Sequence, residues 1–302
     1  MFKKYISKLV PIILIVALCI PIVFVSGCKS SGRVDIAVTS KPAYDWVKEI
    51  LGENSSLNVK QITCGGTTIQ GRALVSSSKL FIYTGGVSEF WVLNALYDRS
   101  SSLPEPIILL NNVALPEWME DDGCCGTAHL DENVWMSLVN VMAFVGIIRD
   151  AIISLDSSNS AAYTANASAF HGDLQNLYNR YVQAIGHGSG RTHNTLILAA
   201  HNAFRYLARD FVLNIEATHD DGGCTGNIVL DTAKQAALIS LLNTSTIDYV
   251  VWITSQTAAN YMAGASTRNI STLRLHCPQL TNTDFMVAME ANLVTLKAVL
   301  GA

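Results

Sequence analysis

Apolar and polar positions follow two rhythms along this chain. "RVDIAVTS" is a short β-branched run broken at Lys41-Pro42, after which "AYDWVKEILG" repeats its apolar positions at helical spacing as far as Gly52. "SLNVKQIT" predicts a strand, "RALVSSS" a short helix, "KLFIYTGG" a buried strand ending in glycines, "EFWVLNAL" a helix and "PIILLNN" another strand. Strand and helix exchange over short connections, the pattern of a mostly parallel sheet covered on both faces.

From Val134 the rhythm lengthens. "WMSLVNVMAFVGIIRDAIISLD" is one long helical stripe, and a second predicts a helical spine from about Ser160 to Ile185. After the glycine-rich "GHGSGRTHN" the alternation resumes, with "TLILAAH", "NIEAT", "DYVVWITS" and "STLRLH" as strands. "AFRYLARDF", "LDTAKQAALISLLN", "TAANYMAGA" and "FMVAMEANLVTLKAVL" are the intervening and closing helices. The expected fold is α/β, two doubly wound lobes joined by a long helical spine with a cleft between them. In such sheets ligands sit beyond the carboxyl ends of the strands. The expected divisions are a signal at 1–28, a tether at 29–33, an N-terminal lobe at 34–158, a linking helix at 159–186 and a C-terminal lobe at 187–302.

The first residues change the picture by setting the compartment. Lys3, Lys4 and Lys8 precede an uncharged apolar run from Leu9 to Val25 that ends in "VSGC", the layout of a secretory signal. It resembles a bacterial lipoprotein signal, in which the thiol of the last residue, here Cys28, is lipidated. The alternative is an uncleaved anchor, since about 17 apolar residues just cross a bilayer. Either way the remainder is expected to work outside the cytoplasm, and no other run reads as long enough to span a membrane. A net charge of -4 with no basic patch gives nucleic acid no counterpart.

Candidate chemistry concentrates in two similar loops. Glu117, Asp121, Asp122, Gly123 and Cys125 share their internal spacing with Glu216, Asp220, Asp221, Gly222 and Cys224, and each copy runs into a Leu-Asp pair. Asp131 and Asp231 close these pairs, and each is expected to cap the helix after it.

The order of segments resembles one family, the metal-binding lipoproteins that serve as solute receptors of zinc and manganese ABC importers. The pieces that carry it are "IAVTSKPAYDWVKEILG", "SSSKLFIYTGGVSEFWVLNAL", "LDENVWMSLVNV", "LDSSNSAAYTANASAF", "AAHNAFRYLARDF" and "ANLVTLKAVL". The resemblance implies two α/β lobes, a rigid linking helix, a metal held in the cleft, no enzymatic turnover, and an ABC permease with its ATPase as partner. It also implies histidines near "TCGGTTIQ" and within "LDENVWMS", where this chain has Cys64 and Asn133. The third histidine is kept as His201, and a position that is commonly acidic is His276.

Divalent zinc takes about four ligands from Cys, His and carboxylates, so lost imidazoles call for other donors. The expected site is sulfur-rich: Cys64, Cys125 and Cys224 as thiolates with His201 and His276, Cys124 as a substitute and His129 as a mobile extra donor. Asp131, Asn133 and Asn202 are expected to orient these ligands from behind. Soft donors favour Zn2+ or Cu+ over Mn2+. Disulfides among Cys64, Cys124, Cys125, Cys224 and Cys277 are the competing use of the cysteines in an exported chain. Cys277 is assigned to packing; His171, His187, His193 and His219 to the surface or loops, with His219 a weak candidate beside Asp220. The other functions left open are a receptor for haem, cobalamin or a siderophore, and a thiol oxidoreductase, although no C-x-x-C pair occurs. The expected state is a monomer held at the membrane through lipid on Cys28.

Overall fold

The computed structural model describes residues 34–62, 69–119, 128–219 and 232–302, with the backbone alone at His201 and His219. The first half builds a parallel sheet from β1 (Ile36–Val38), β2 (Val59–Gln61), β3 (Leu80–Tyr83) and β4 (Ile107–Ile108), in the order β2-β1-β3-β4. Helices α1 (Lys41–Leu51), α2 (Ile69–Ser77) and α3 (Trp91–Tyr97) connect these strands in sequence. A small antiparallel pair follows, β5 (Trp118–Met119) with β6 (His129–Leu130). Two long helices come next, α4 (Leu138–Leu155) and the spine α5 (Ser160–Ile185).

The second half repeats the scheme. It contains β7 (Thr195–His201), α6 (Arg205–Phe211), β8 (Asn214–His219), α7 (Thr232–Thr244), β9 (Tyr249–Trp252), α8 (Thr257–Ala265), β10 (Ser271–Arg274), α9 (Pro278–Thr281) and α10 (Phe285–Leu300). Its sheet is parallel in the order β10-β9-β7-β8.

Strand periodicity explains how each sheet is covered twice. Ile36, Val38, Leu80 and Ile82 enter a large core that also takes Leu196, Leu198 and Val251 from the second sheet. The alternate residues Ala37, Phe81 and Tyr83 face a separate cluster with Val75, Val92 and Ala95. Ile197, Ala199 and Val250 do the same against Leu238, Leu242 and Met262. Both halves therefore share one core. Trp46 of α1, fully buried, joins them: its ring lies 5.7 Å from Phe144 of α4 and 5.5 Å from Phe285 of α10.

Several expectations need correction. The strand run ends before Lys41 as expected, but the helix starts at Lys41-Pro42, two residues ahead of Ala43, because proline at the first turn forfeits no helical hydrogen bond and the Ser40 hydroxyl accepts from Ala43 N at 3.4 Å. "PIILLNN" pairs only through Ile107–Ile108 and then tightens into a 3-10 turn at Leu110–Asn112. Asp131 does not cap the following helix; that cap is Ser137, whose Oγ accepts from Asn140 N at 3.1 Å. α4 itself has the length and mean hydropathy, 1.9, of a membrane span, so the N-terminal run is not alone in that respect; its buried stripe of Leu138, Val141, Phe144, Val145, Ile148 and Ile152 packs in the shared core. The repeated sequence also enters from unlike backbones: Glu117 precedes an antiparallel strand, whereas Glu216 lies inside parallel β8.

Candidate metal centre

All strands of the second sheet run parallel, so their carboxyl ends share one edge. β7 ends at His201 and β8 at His219, while His276 follows shortly after β10. Asn292, fully buried, clamps the His276 backbone from both sides: His276 N donates to its Oδ1 at 2.7 Å and its Nδ2 donates to His276 O at 2.7 Å. The imidazole above this clamp is half-buried, and its Nδ1 lies out of contact with water without a hydrogen-bond partner. Burial, helped by the charge of Arg274, moves its pKa below the ordinary histidine value. Both effects favour the neutral imidazole, the form a metal ion requires. Asn202 is buried and spends its Oδ1 on Phe204 N at 3.2 Å, closing the turn from β7 towards α6.

The edge of the first half is built from carboxyl groups. Asp131 is fully buried; its Oδ1 accepts from both Asn133 N and Asn133 Nδ2 at 2.8 Å, and its Oδ2 has no partner. Burial pushes its pKa up to about 6. Asn133, where the family resemblance implies a histidine, has its amide committed to Asp131 and takes the Cys277 thiol on Oδ1 at 3.7 Å. Cys277 is a fully buried free thiol whose pKa burial raises to about 11, so it is a protonated packing group instead of a thiolate.

Sequence reasoning missed a pair of acids beside it. Glu89 accepts from Gly85 N at 2.8 Å and is desolvated to a pKa of about 7. Glu132 accepts from Ser88 N at 2.9 Å and from the Ser88 hydroxyl, and burial raises its pKa as well. The glycines in "TGGVSE" were the available signal: Gly86 has φ +99, and a Cβ there would stand 2.6 Å from Glu132 Oε1. His129 lies on β6, not in a loop, near enough to Glu132 for its charge to favour the carboxylate.

A polar seam holds these edges in place. Tyr206 OH donates to Asp131 O at 3.0 Å and receives Glu117 N at 3.3 Å; Ser137 Oγ donates to Asp210 Oδ2 at 2.5 Å, and Arg209 reaches Leu115 O. Farther along, Lys41 N donates to Gln279 Oε1 at 2.7 Å and Phe285 N to Asp45 Oδ2 at 3.0 Å. Nothing in the pattern of apolar positions foretells these bonds.

Of the expected ligands, the structure places His276 and the backbone of His201 on one edge. Cys28, Cys64, Cys124, Cys125 and Cys224 lie outside the described residues. Among the described residues no three His, Cys, Asp or Glu side chains converge as a metal site.

Two parallel sheets with polar carboxyl edges, sharing a core and bridged by one long helix, define a class of α/β folds built on a rigid helical spine. The chain belongs to the ZnuA family, the periplasmic component A of the zinc-uptake complex, whose family model matches residues 36–299. It is 25% identical to the zinc-binding lipoprotein AdcA of Streptococcus pneumoniae in an alignment of 310 residues covering 94% of this chain and 60% of AdcA. It is 27% identical over 180 residues to the manganese-binding lipoprotein MntA of Halalkalibacterium halodurans, covering 58% of this chain and 57% of that protein. The chain thus spans about 60% of the length of the AdcA relative it matches. In fold it aligns with the crystal structure of the Zn(II)-bound ZnuA-like domain of Streptococcus pneumoniae AdcA at a TM-score of 0.68 and 21% identity, covering 90% of this chain and 100% of that domain.

Proposed function

We propose that this protein is an extracytoplasmic, membrane-tethered receptor that captures a transition metal ion, zinc foremost, and passes it to an ABC permease and its ATPase. The observation that carries this is His276: an imidazole with an unpartnered ring nitrogen, its backbone clamped by Asn292 just beyond the carboxyl end of a sheet strand in a chain of this family. Capture is reversible ligand exchange, with no substrate turned over. Residues 34–158 and 187–302 act as the two lobes and 159–186 as the link; the chain works as a monomer, with lipid on Cys28 as its anchor.

His201 and His276 supply nitrogen, and Cys64, Cys125 and Cys224 supply sulfur, with Cys124 in reserve. Asp131, Asn133 and Asn202 shape the turns behind them. Elemental analysis of protein purified under reducing conditions tests both parts. One zinc per chain is expected in the wild type, and clearly less in a Cys125→Ser, Cys224→Ser double variant. Equal content in both proteins refutes the sulfur donors, and none in either refutes the receptor.

A further inference from the structure

Helix α3 is apolar on both of its faces. From Phe90 to Tyr97 the chain reads FWVLNALY, with Asn94 as the one strongly polar side chain and no charge. Val92 and Ala95 are fully buried against the first sheet, but Phe90, just ahead of the helix, Leu93 and Tyr97 stand 63%, 61% and 91% exposed. Spacings of three and four residues set these three side chains in one outward stripe. A helix apolar all round is normally covered on every side, and among the described residues nothing covers this stripe.

The chain enters the fold beside this helix. Val34 is buried in the cluster that holds Val92 and Ala95. Arg99, two residues past Tyr97, donates to Val75 O at 2.6 Å, Ser78 O at 2.8 Å and Lys79 O at 3.0 Å. Lys79 in turn pairs with Asp35 at 2.7 Å, and Leu80 N donates to Asp35 O at 2.9 Å. The tail end of α3 therefore sits next to the point of entry. Cys28, the expected lipid site, precedes Val34 by six residues, at most about 20 Å of extended chain. A lipid there would hold a bilayer within reach of the stripe, since a helix is only about 10–12 Å across.

We propose that the outer face of α3 rests on the membrane that holds the Cys28 lipid, with Phe90 and Leu93 entering the headgroup boundary and Tyr97 at its polar margin. The proposal rests on the membrane-tethered reading and goes beyond it by naming the surface turned to the bilayer. A tether makes this second contact intramolecular, so a few side chains suffice. They would not suffice for a protein partner: aromatic side chains bury about 150–250 Å² each, so three remain below the about 800 Å² per partner of a stable interface.

The test places a photo-crosslinking benzophenone amino acid at Leu93, or at Val294 of α10 as a control that is 68% exposed, in the full lipidated chain carried on vesicles of phosphatidylglycerol and phosphatidylethanolamine. After illumination, mass spectrometry should find lipid adducts at position 93 more than about tenfold above those at 294, since an interfacial face sits about 5–10 Å into the headgroup layer. Equal adduct yields at both positions, or adducts at 93 to a second copy of the chain in place of lipid, overturn the proposal and leave the tether standing. A chain that does not float with the vesicles overturns both. Should the Leu93 variant misfold by circular dichroism, the same substitution at Tyr97 decides by the same comparison.

Discussion

The two carboxyl edges of this molecule are built from the same strand-and-turn scheme and present opposite chemistry. On the N-terminal side Asp131, Glu89 and Glu132 are carboxyl groups stripped of water, all with raised pKa values. On the C-terminal side the edge carries His201, His219 and His276, and the one imidazole whose side chain is described has a lowered pKa. Burial acts alike on both, disfavouring charge. Burial makes an acid hold its proton more tightly and so a weaker metal ligand, whereas it makes a base give up its proton more readily and so a better one. Among the described side chains, His276 is therefore the one suited to an ion, while Asp131, Glu89 and Glu132 hold their own turns.

The strongest way to break the comparison is to remove the frame that opposes the edges. Trp46→Ala should cost about 3–5 kcal/mol, the range for deleting a fully buried aromatic. Urea denaturation should show one transition shifted as a whole, since both halves share that core. Two separate transitions would contradict the shared core.

Next comes an exchange of edges. His276→Ala should weaken zinc binding by more than about 100-fold, while Glu132→Gln should leave it within about threefold, because that carboxyl group is engaged by Ser88. Competition with a chromophoric chelator measures both, and similar losses would erase the distinction drawn between the edges.

A smaller effect sharpens the acidic side. The folded pKa of Glu89, about 7, lies above its ordinary 4.5, so the folded state holds a proton that the unfolded chain has released. Stability from this residue therefore falls as pH rises from about 4.5 to about 7 and levels off above that. Glu89→Gln should remove that slope and gain about 1–3 kcal/mol above neutrality. Denaturation midpoints at a series of pH values check it; an unchanged slope in the variant would mean that Glu89 is not the group responsible. Smallest is Tyr206→Phe, which deletes the hydroxyl bridging Asp131 O and Glu117 N and should cost about 1–2 kcal/mol without changing zinc affinity.

These edges differ in how far the sequence reveals them. Period alone located the spine at Ser160–Ile185, and the closing helix at Phe285–Leu300, because long amphipathic stretches carry many repeats of the signal. The β5–β6 pair and α9 escaped it, since segments of two to four residues hold no complete period. The resemblance singled out His201 and His276, whereas Glu89 with Glu132, the Asn292 clamp and the Tyr206 bridge are tertiary bonds between residues far apart in sequence, and no local pattern encodes them. The His201↔His219 register was hidden for the same reason: a register shift is visible only once the strands are paired.

The most direct examination of the central claim is zinc-edge X-ray absorption on the full chain loaded with one equivalent of zinc. Scattering from at least two imidazole rings in the ligand shell is the predicted result, as His201 and His276 in the proposed ligand set demand. A shell of sulfur and oxygen with no imidazole, or a protein that retains no zinc, would contradict it.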